Sequence, residues 1–152
     1  MPERSISILS DRVIVESACW RSAPSFSDFS AIFHGPIREL DTRLVNGVPG
    51  DRVIALDDCG LVVNIDLPQE RVRRFTIFLM PHKRWVSRAF QGSVNVSGAE
   101  LRKGATVGAL LANTSFKFEN RIAIGQGISI AYDQNYKFME SVTIGFRYPS
   151  SV

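Results

Sequence analysis

The sequence predicts an α+β fold in which antiparallel β-meanders outnumber two short helices. Three observations predict it. Runs of four to eight residues rich in Val, Ile and Phe recur along most of the chain, and such side chains suit the pleated, half-buried strand. Asp, Asn, Gly and Pro punctuate those runs at short intervals, which favours hairpins over long crossovers. Only two stretches place apolar residues at spacings of three and four, as an amphipathic helix does.

The elements follow in order. "SISIL" (5–9) alternates polar and apolar, Ser10-Asp11 is a turn pair and "RVIVE" (12–16) is a second strand, so the chain opens with a hairpin. Phe26, Phe29, Ile32 and Phe33 mark a helix over 26–34, with Ser25 as N-cap and Asp28 three residues on. Gly35-Pro36 ends it, and His34 beside them suits a C-capping role. Residues 36–51 are irregular. "RVIAL" (52–56), "LVVNI" (61–65) and "RVRRFTIFLM" (71–80) are strands, and "GSVNVSG" (92–98) is a strand running into a turn. Residues 100–112 form the second helix on Val107, Leu110 and Leu111, weakened by Gly104 and Gly108. "FKFE" (116–119), "RIAIG" (121–125), "ISIAY" (128–132) and "SVTIGFRY" (141–148) complete the strands. Phe29, Phe33, Val62, Phe78, Leu110 and Ile144 are the expected core.

This order reads as a repeat, 5–80 and 90–148, within one domain spanning 1–152. Each half runs strands, helix, meander, and each closes on a similar strand, "TIFL" or "TIGF". Neither half buries enough apolar surface to stand alone, so the two share one core.

Composition narrows the class. Hydrophobic residues make up 45% and charged residues 22%, as in ordinary globular proteins. No run approaches the roughly 18 apolar residues of a membrane span, and the first dozen residues lack the apolar stretch of a secretory signal. A cytoplasmic protein is expected. Cys19 and Cys59 are isolated and read as reduced thiols. The net charge of +3 is uneven: residues 1–66 carry six Lys/Arg and ten Asp/Glu, whereas 67–121 carry ten and three. An acidic and a basic side are therefore expected, which steers partners without setting the fold.

Signs of chemistry are few. Asp57-Asp58-Cys59-Gly60 lies between two strands, where acidic residues and a glycine suit a tight turn. A metal would need more ligands: Ca²⁺ takes about six to eight oxygens. His34 and His82 are the only histidines, and neither cysteine is placed beside one. There is no GxSxG nucleophile elbow. "GQG" (125–127) lies between strands and lacks the following helix that a phosphate loop needs. No enzyme activity, metal or cofactor is expected.

"RVIALDDCGLVVNID", then "VRRFTIFLM" and the later "GSVNVSG", resembles the central box of a family of small bacterial proteins. Some members are encoded beside contact-dependent or type VI secretion toxins and look like cognate immunity proteins. The likeness covers roughly residues 45–150; the aromatic residue common before the aspartate pair is Leu56 here. The resemblance implies a non-catalytic protein that neutralises a toxin by occluding its active site, and it carries over no catalytic residue.

Two surfaces are candidates for binding. Asp57 and Asp58, with Asp51 and Asp66 nearby in sequence, suit a toxin with a basic cleft, although the net positive charge argues against an acidic plug for a nuclease. The alternative is the basic segment Arg71, Arg73, Arg74, Lys83, Arg84 and Arg88, with Trp85 and Phe90 interleaved, which suits nucleic acid. A solvated edge strand is its plainer reading, and strict alternation puts Arg73 and Arg74 on opposite faces. An exposed edge also allows a homo-oligomer.

Overall fold

The computed structural model describes residues 4–40, 51–67, 69–81, 86, 88–101, 116–119, 122–135 and 138–146. Among them the protein is β-rich, with one short helix, α1 (Phe26–Ile32). The expected second helix falls on residues outside those described, apart from its first two, Glu100 and Leu101. These are strand, not helix, because they pair with the preceding strand.

The strands form two sheets. The smaller has the order β3-β2-β1-β8-β9, with β1 (Arg4–Ile8), β2 (Val13–Val15), β3 (Ala18–Trp20), β8 (Gly92–Val96) and β9 (Ala99–Leu101). The expected β1–β2 hairpin is present, with Ile6 opposite Val15 and Ile8 opposite Val13. At the centre β1 runs parallel to β8 in register, Ile6 beside Val94 and Ile8 beside Val96. Ser97 and Gly98 both take positive φ between β8 and β9, as a two-residue hairpin of the right twist requires.

The larger sheet is antiparallel throughout, in the order β10-β11-β12-β13-β7-β6-β5-β4. Its strands are β4 (Arg38–Leu40), β5 (Asp51–Leu56), β6 (Leu61–Asp66), β7 (Arg71–Phe78), β10 (Lys117–Glu119), β11 (Ile122–Ile124), β12 (Ile128–Asn135) and β13 (Phe138–Phe146). β3, β4 and β9 were not legible in the sequence. Each is three residues long and lies at a sheet edge, too short to display a period. Short edges also offer little template for aggregation.

One core joins the two sheets. Ile6, Ile8, Val13 and Val15 of the smaller sheet pack in the same cluster as Val63, Phe75, Ile77, Ile130 and Ile144 of the larger. Phe29 and Phe33 of α1 enter it as expected, fully buried, and Phe29 lies 5.6 Å from the Trp20 ring and 5.2 Å from Phe75. Ser25 caps α1 by accepting the Asp28 N–H at 3.1 Å, a bond whose loss typically costs ~1 kcal/mol. Phe33, rather than His34, is the C-cap, and its N–H reaches the Phe29 carbonyl. Arg4 ties down the helix end by donating to the Ile32 carbonyl and covering the Phe33 ring. Val62 and Phe78 are buried as expected, but in a second cluster with Val53, Ala55 and Val86 on the opposite face of the larger sheet. Leu110 lies outside the described residues.

Candidate functional site

The aspartate pair sits in a tight turn. The Leu56 carbonyl accepts the N–H groups of both Cys59 and Gly60 at 3.0 Å, and Gly60 takes φ +70°. A Cβ on Gly60 would lie 2.4 Å from the Phe90 nitrogen, because residues 88–90 cross directly over the turn. Asp57 is held by Arg38, whose Nε and Nη2 donate at 2.9 and 3.2 Å; Asp58 is exposed. Cys59 packs against the core, with its thiol directed at the His34 carbonyl 3.7 Å away. Burial pushes that thiol up from its ordinary value, which lowers the thiolate fraction that nucleophilic attack or metal binding needs. Among the described residues no group of three or more His, Cys, Asp or Glu could hold a metal ion. The contacts described for the turn thus hold its backbone, tie it to β4 through Arg38 and seat Cys59 on the core. His82 lies outside the described residues.

The other two predicted acids are elsewhere. Asp51 and Asp66 face each other across β5 and β6, at the opposite end of the hairpin from Asp57, about 20 Å along the strands. The side chains of Asp51 and Asp66 are 3% and 9% exposed, and Arg73 bridges them. Its Nε donates to Asp51 Oδ2 at 2.7 Å and its Nη2 to Asp51 Oδ1 at 3.3 Å, while Nη2 lies 3.6 Å from Asp66 Oδ2. A forked guanidinium contact of this kind gives buried carboxylates charge-assisted hydrogen bonds that offset part of their desolvation cost. The four aspartates therefore do not make one acidic surface.

Nor do the described residues of the basic segment make one free patch, since Arg71 and Arg73 are engaged within the protein. Arg71 donates to the Ala23 carbonyl at 2.7 Å and pairs with Ser25 as a bridge, fastening the segment before α1. Arg88 is exposed; Lys83 and Arg84 lie outside the described residues. The expectation for Arg73 and Arg74 needs correcting. The pairing of β6 with β7 shifts register between Asn64 and Ile65, opposite Arg74 and Val72. Arg73 is the extra residue of this bulge. It joins Asp51 and Asp66 on the face where Arg74 stands opposite Asn64, so both arginines lie on one face, not two.

That outer face of the larger sheet can be read in full from the register. One lateral row crosses all eight strands: Lys117, Ile124, Ser129, Gly145, Arg74, Asn64, Val53 and Leu40. The adjacent row includes Ile122, Ala131, Thr143, Thr76, Val62 and Ala55. At its centre the Thr76 and Thr143 hydroxyls share a hydrogen bond of 2.7 Å. Exposure changes along the rows. Asn64 is 4% exposed and Val53 1%, whereas Ile122 and Ile124 are 46% and 48% exposed. A shallow pocket of about 210 Å³, lined by Ile124, Gly127, Ser129, Gly145 and Phe146 among others, opens at the Ile124 end.

No protein-family model, curated protein or solved structure matches this chain. The "GQG" segment is a hairpin turn whose Gly125 nitrogen donates to the Ile128 carbonyl at 2.8 Å. A Cβ on Gly125 would meet the Ser10 carbonyl oxygen at 2.3 Å. Its glycine therefore lets two turns touch. Sequence reading missed Ile122 and Ile124 as surface residues. The signal was present: in "RIAIG" the residue between them is the small Ala123, and Ala123 is the one that faces the core.

Proposed function

We propose that the protein is a non-catalytic, cytoplasmic binding module that neutralises a cognate toxin by covering it, as the resemblance to immunity proteins implies. One observation carries the reading: the larger sheet has one face in the core, while on the other the β11 isoleucines are half exposed beside partly exposed Ser129, Ala131, Thr143 and Gly145. Occlusion requires a rigid surface and affinity, and nothing else. Strands paired on both sides hold such a surface with little entropy left to lose on binding. Among the described residues no helix is long and apolar enough to cross a membrane, which is compatible with a partner met in the cytoplasm. The basic-segment reading has less support, because Arg71 and Arg73 are engaged within the protein.

The two-unit architecture belongs to the same reading. In the order β10-β11-β12-β13-β7-β6-β5-β4, strands six apart in the chain hold mirror positions. The similar strands "TIFL" and "TIGF" meet at the centre, Thr76 opposite Thr143. A duplicated helix-plus-meander unit would account for both facts.

Co-expression with the product of an adjacent toxin gene tests the function. Protection of the host and co-purification of a stoichiometric complex are expected. Toxicity unchanged by the protein, with no complex formed, would overturn the reading.

A further inference from the structure

Resting on that binding reading, we propose that the open outer face of β11, β12, β13 and β7 receives a single amphipathic α-helix of the partner protein, with acidic side chains flanking its apolar stripe. Ile122 and Ile124 form one wall of a trough whose floor is Ser129, Ala131, Thr143 and Gly145; Arg74 stands on the other side. Three strand spacings separate the walls, about 14 Å, and a helix with its side chains is about 10–12 Å across. An added extended strand would cover only about 4.8 Å of that width. The pocket of about 210 Å³ beside Ile124 is below the ~300–1,000 Å³ of small-molecule sites, so it suits one anchoring side chain of a larger ligand. The charge on the row is complementary to acid. The cation is Lys117, which is exposed and opposite Ile124 on that row. Glu119 occupies the position opposite Ile122, so the cationic character belongs to the Gly145 row, and the partner's acids lie over that row rather than its neighbour.

A display library of helical peptides of about 18 residues, randomised at its apolar and charged positions, tests the proposal on the full-length protein. Selected peptides are expected to carry Asp or Glu beside an apolar stripe and to shift the amide resonances of Ile122, Ile124, Ser129 and Gly145. Ile124→Asp should weaken them about tenfold, as loss of an interface anchor does. Lys117→Glu should weaken them about threefold, as an exposed charge contact does, and should make basic peptides preferred. Selection of basic or uncharged peptides, shifts confined to other surfaces, or indifference to Ile124→Asp would each overturn the proposal. The toxin arm separates the two readings. Toxin bound equally by wild type and Ile124→Asp refutes this surface and leaves the function standing. Acidic helices selected on this face, with no toxin bound by wild type, refute the function and leave the surface standing.

Discussion

Across β5 and β6, the outer residues Asp51, Val53, Ala55, Val62, Asn64 and Asp66 are each no more than 6% exposed. Across β11, on the same face of the same sheet, Ile122 and Ile124 are nearly half exposed. Hydropathy would assign them the other way round: the covered half holds two carboxylates and an amide, the open half two isoleucines. What separates them is the company available to each side chain. The covered half supplies Arg73 to two acids, while the open half supplies Ala123 to the core and leaves its large neighbours outside. Polar groups can be buried where partners exist, and a small side chain can take the core position while its large neighbours stay outside.

Arg73→Met breaks the covered half most severely. It keeps the length of the side chain but leaves Asp51 and Asp66 buried without their cation. Removing one member of a buried pair costs ~3–5 kcal/mol, and because the Arg73 side chain is 33% exposed, water tempers the loss toward the lower end. Urea unfolding should show a lower midpoint with unchanged slope. A loss below about 1 kcal/mol, the scale of exposed pairs, would mean that the carboxylates are hydrated and the two halves are more alike than their exposures say.

Asn64→Leu tests the same half in the opposite direction. Asn64 Nδ2 is buried with no hydrogen-bond partner among the described residues, and an unmade buried donor costs about 1–3 kcal/mol. Replacement by an apolar side chain of similar volume should raise the unfolding free energy by about 1 kcal/mol or more. A fall instead would show that the amide serves the Asp51–Arg73–Asp66 network.

Much of this was legible in advance, and the gaps have physical causes. The helix at 26–32, its Ser25 cap and ten of the thirteen described strands announce themselves through local chemistry: spacing, β-branching and turn residues. The edge strands β3, β4 and β9 carry too few residues for a period, whereas β10, equally short, falls within the alternating run "FKFE". The Arg73 bulge was hidden because alternation is assumed wherever no glycine or proline interrupts a strand, and "RVRRF" contains neither. Asp51 and Asp66 read as surface acids because their partner is seven or more residues away from either in the chain; only pairing of β5, β6 and β7 brings it to them. The turn at Asp57–Gly60 was readable as a turn, but the need for glycine there comes from residues 88–90 crossing above it, a contact no local pattern reports.

The β5–β6 turn gives an intermediate case, smaller than the buried network at the other end of the same hairpin. The Arg38 and Asp57 side chains are 47% and 27% exposed, so the pair is worth ~0–1 kcal/mol. Asp57→Lys should cost up to about that amount, and Asp58→Lys should stay within about 0.5 kcal/mol of wild type. Equal and large losses from both would show that the turn contributes more than its contacts indicate. If Asp58→Lys instead weakens toxin binding while folding is unaffected, the acidic turn joins the interface.

The smallest effect on folding is expected in the open half. Ile122→Ser with Ile124→Ser removes two large apolar side chains, yet each is already about half in water, and neither belongs to the clusters that join the sheets. Serine keeps the short, strand-compatible shape, and substitutions away from packed features usually fall within about 0.5 kcal/mol. Some β-propensity is lost at each position, on a scale of about 1 kcal/mol from best to worst residue, and part of it returns as reduced exposed apolar area. The double variant should therefore unfold within about 1 kcal/mol of wild type, far from the Arg73→Met value. A loss comparable to that of Arg73→Met would place the isoleucines in the service of folding. The outer face would then be closed on both halves, and the trough beside Gly145 would lose the wall against which a partner helix is expected to pack.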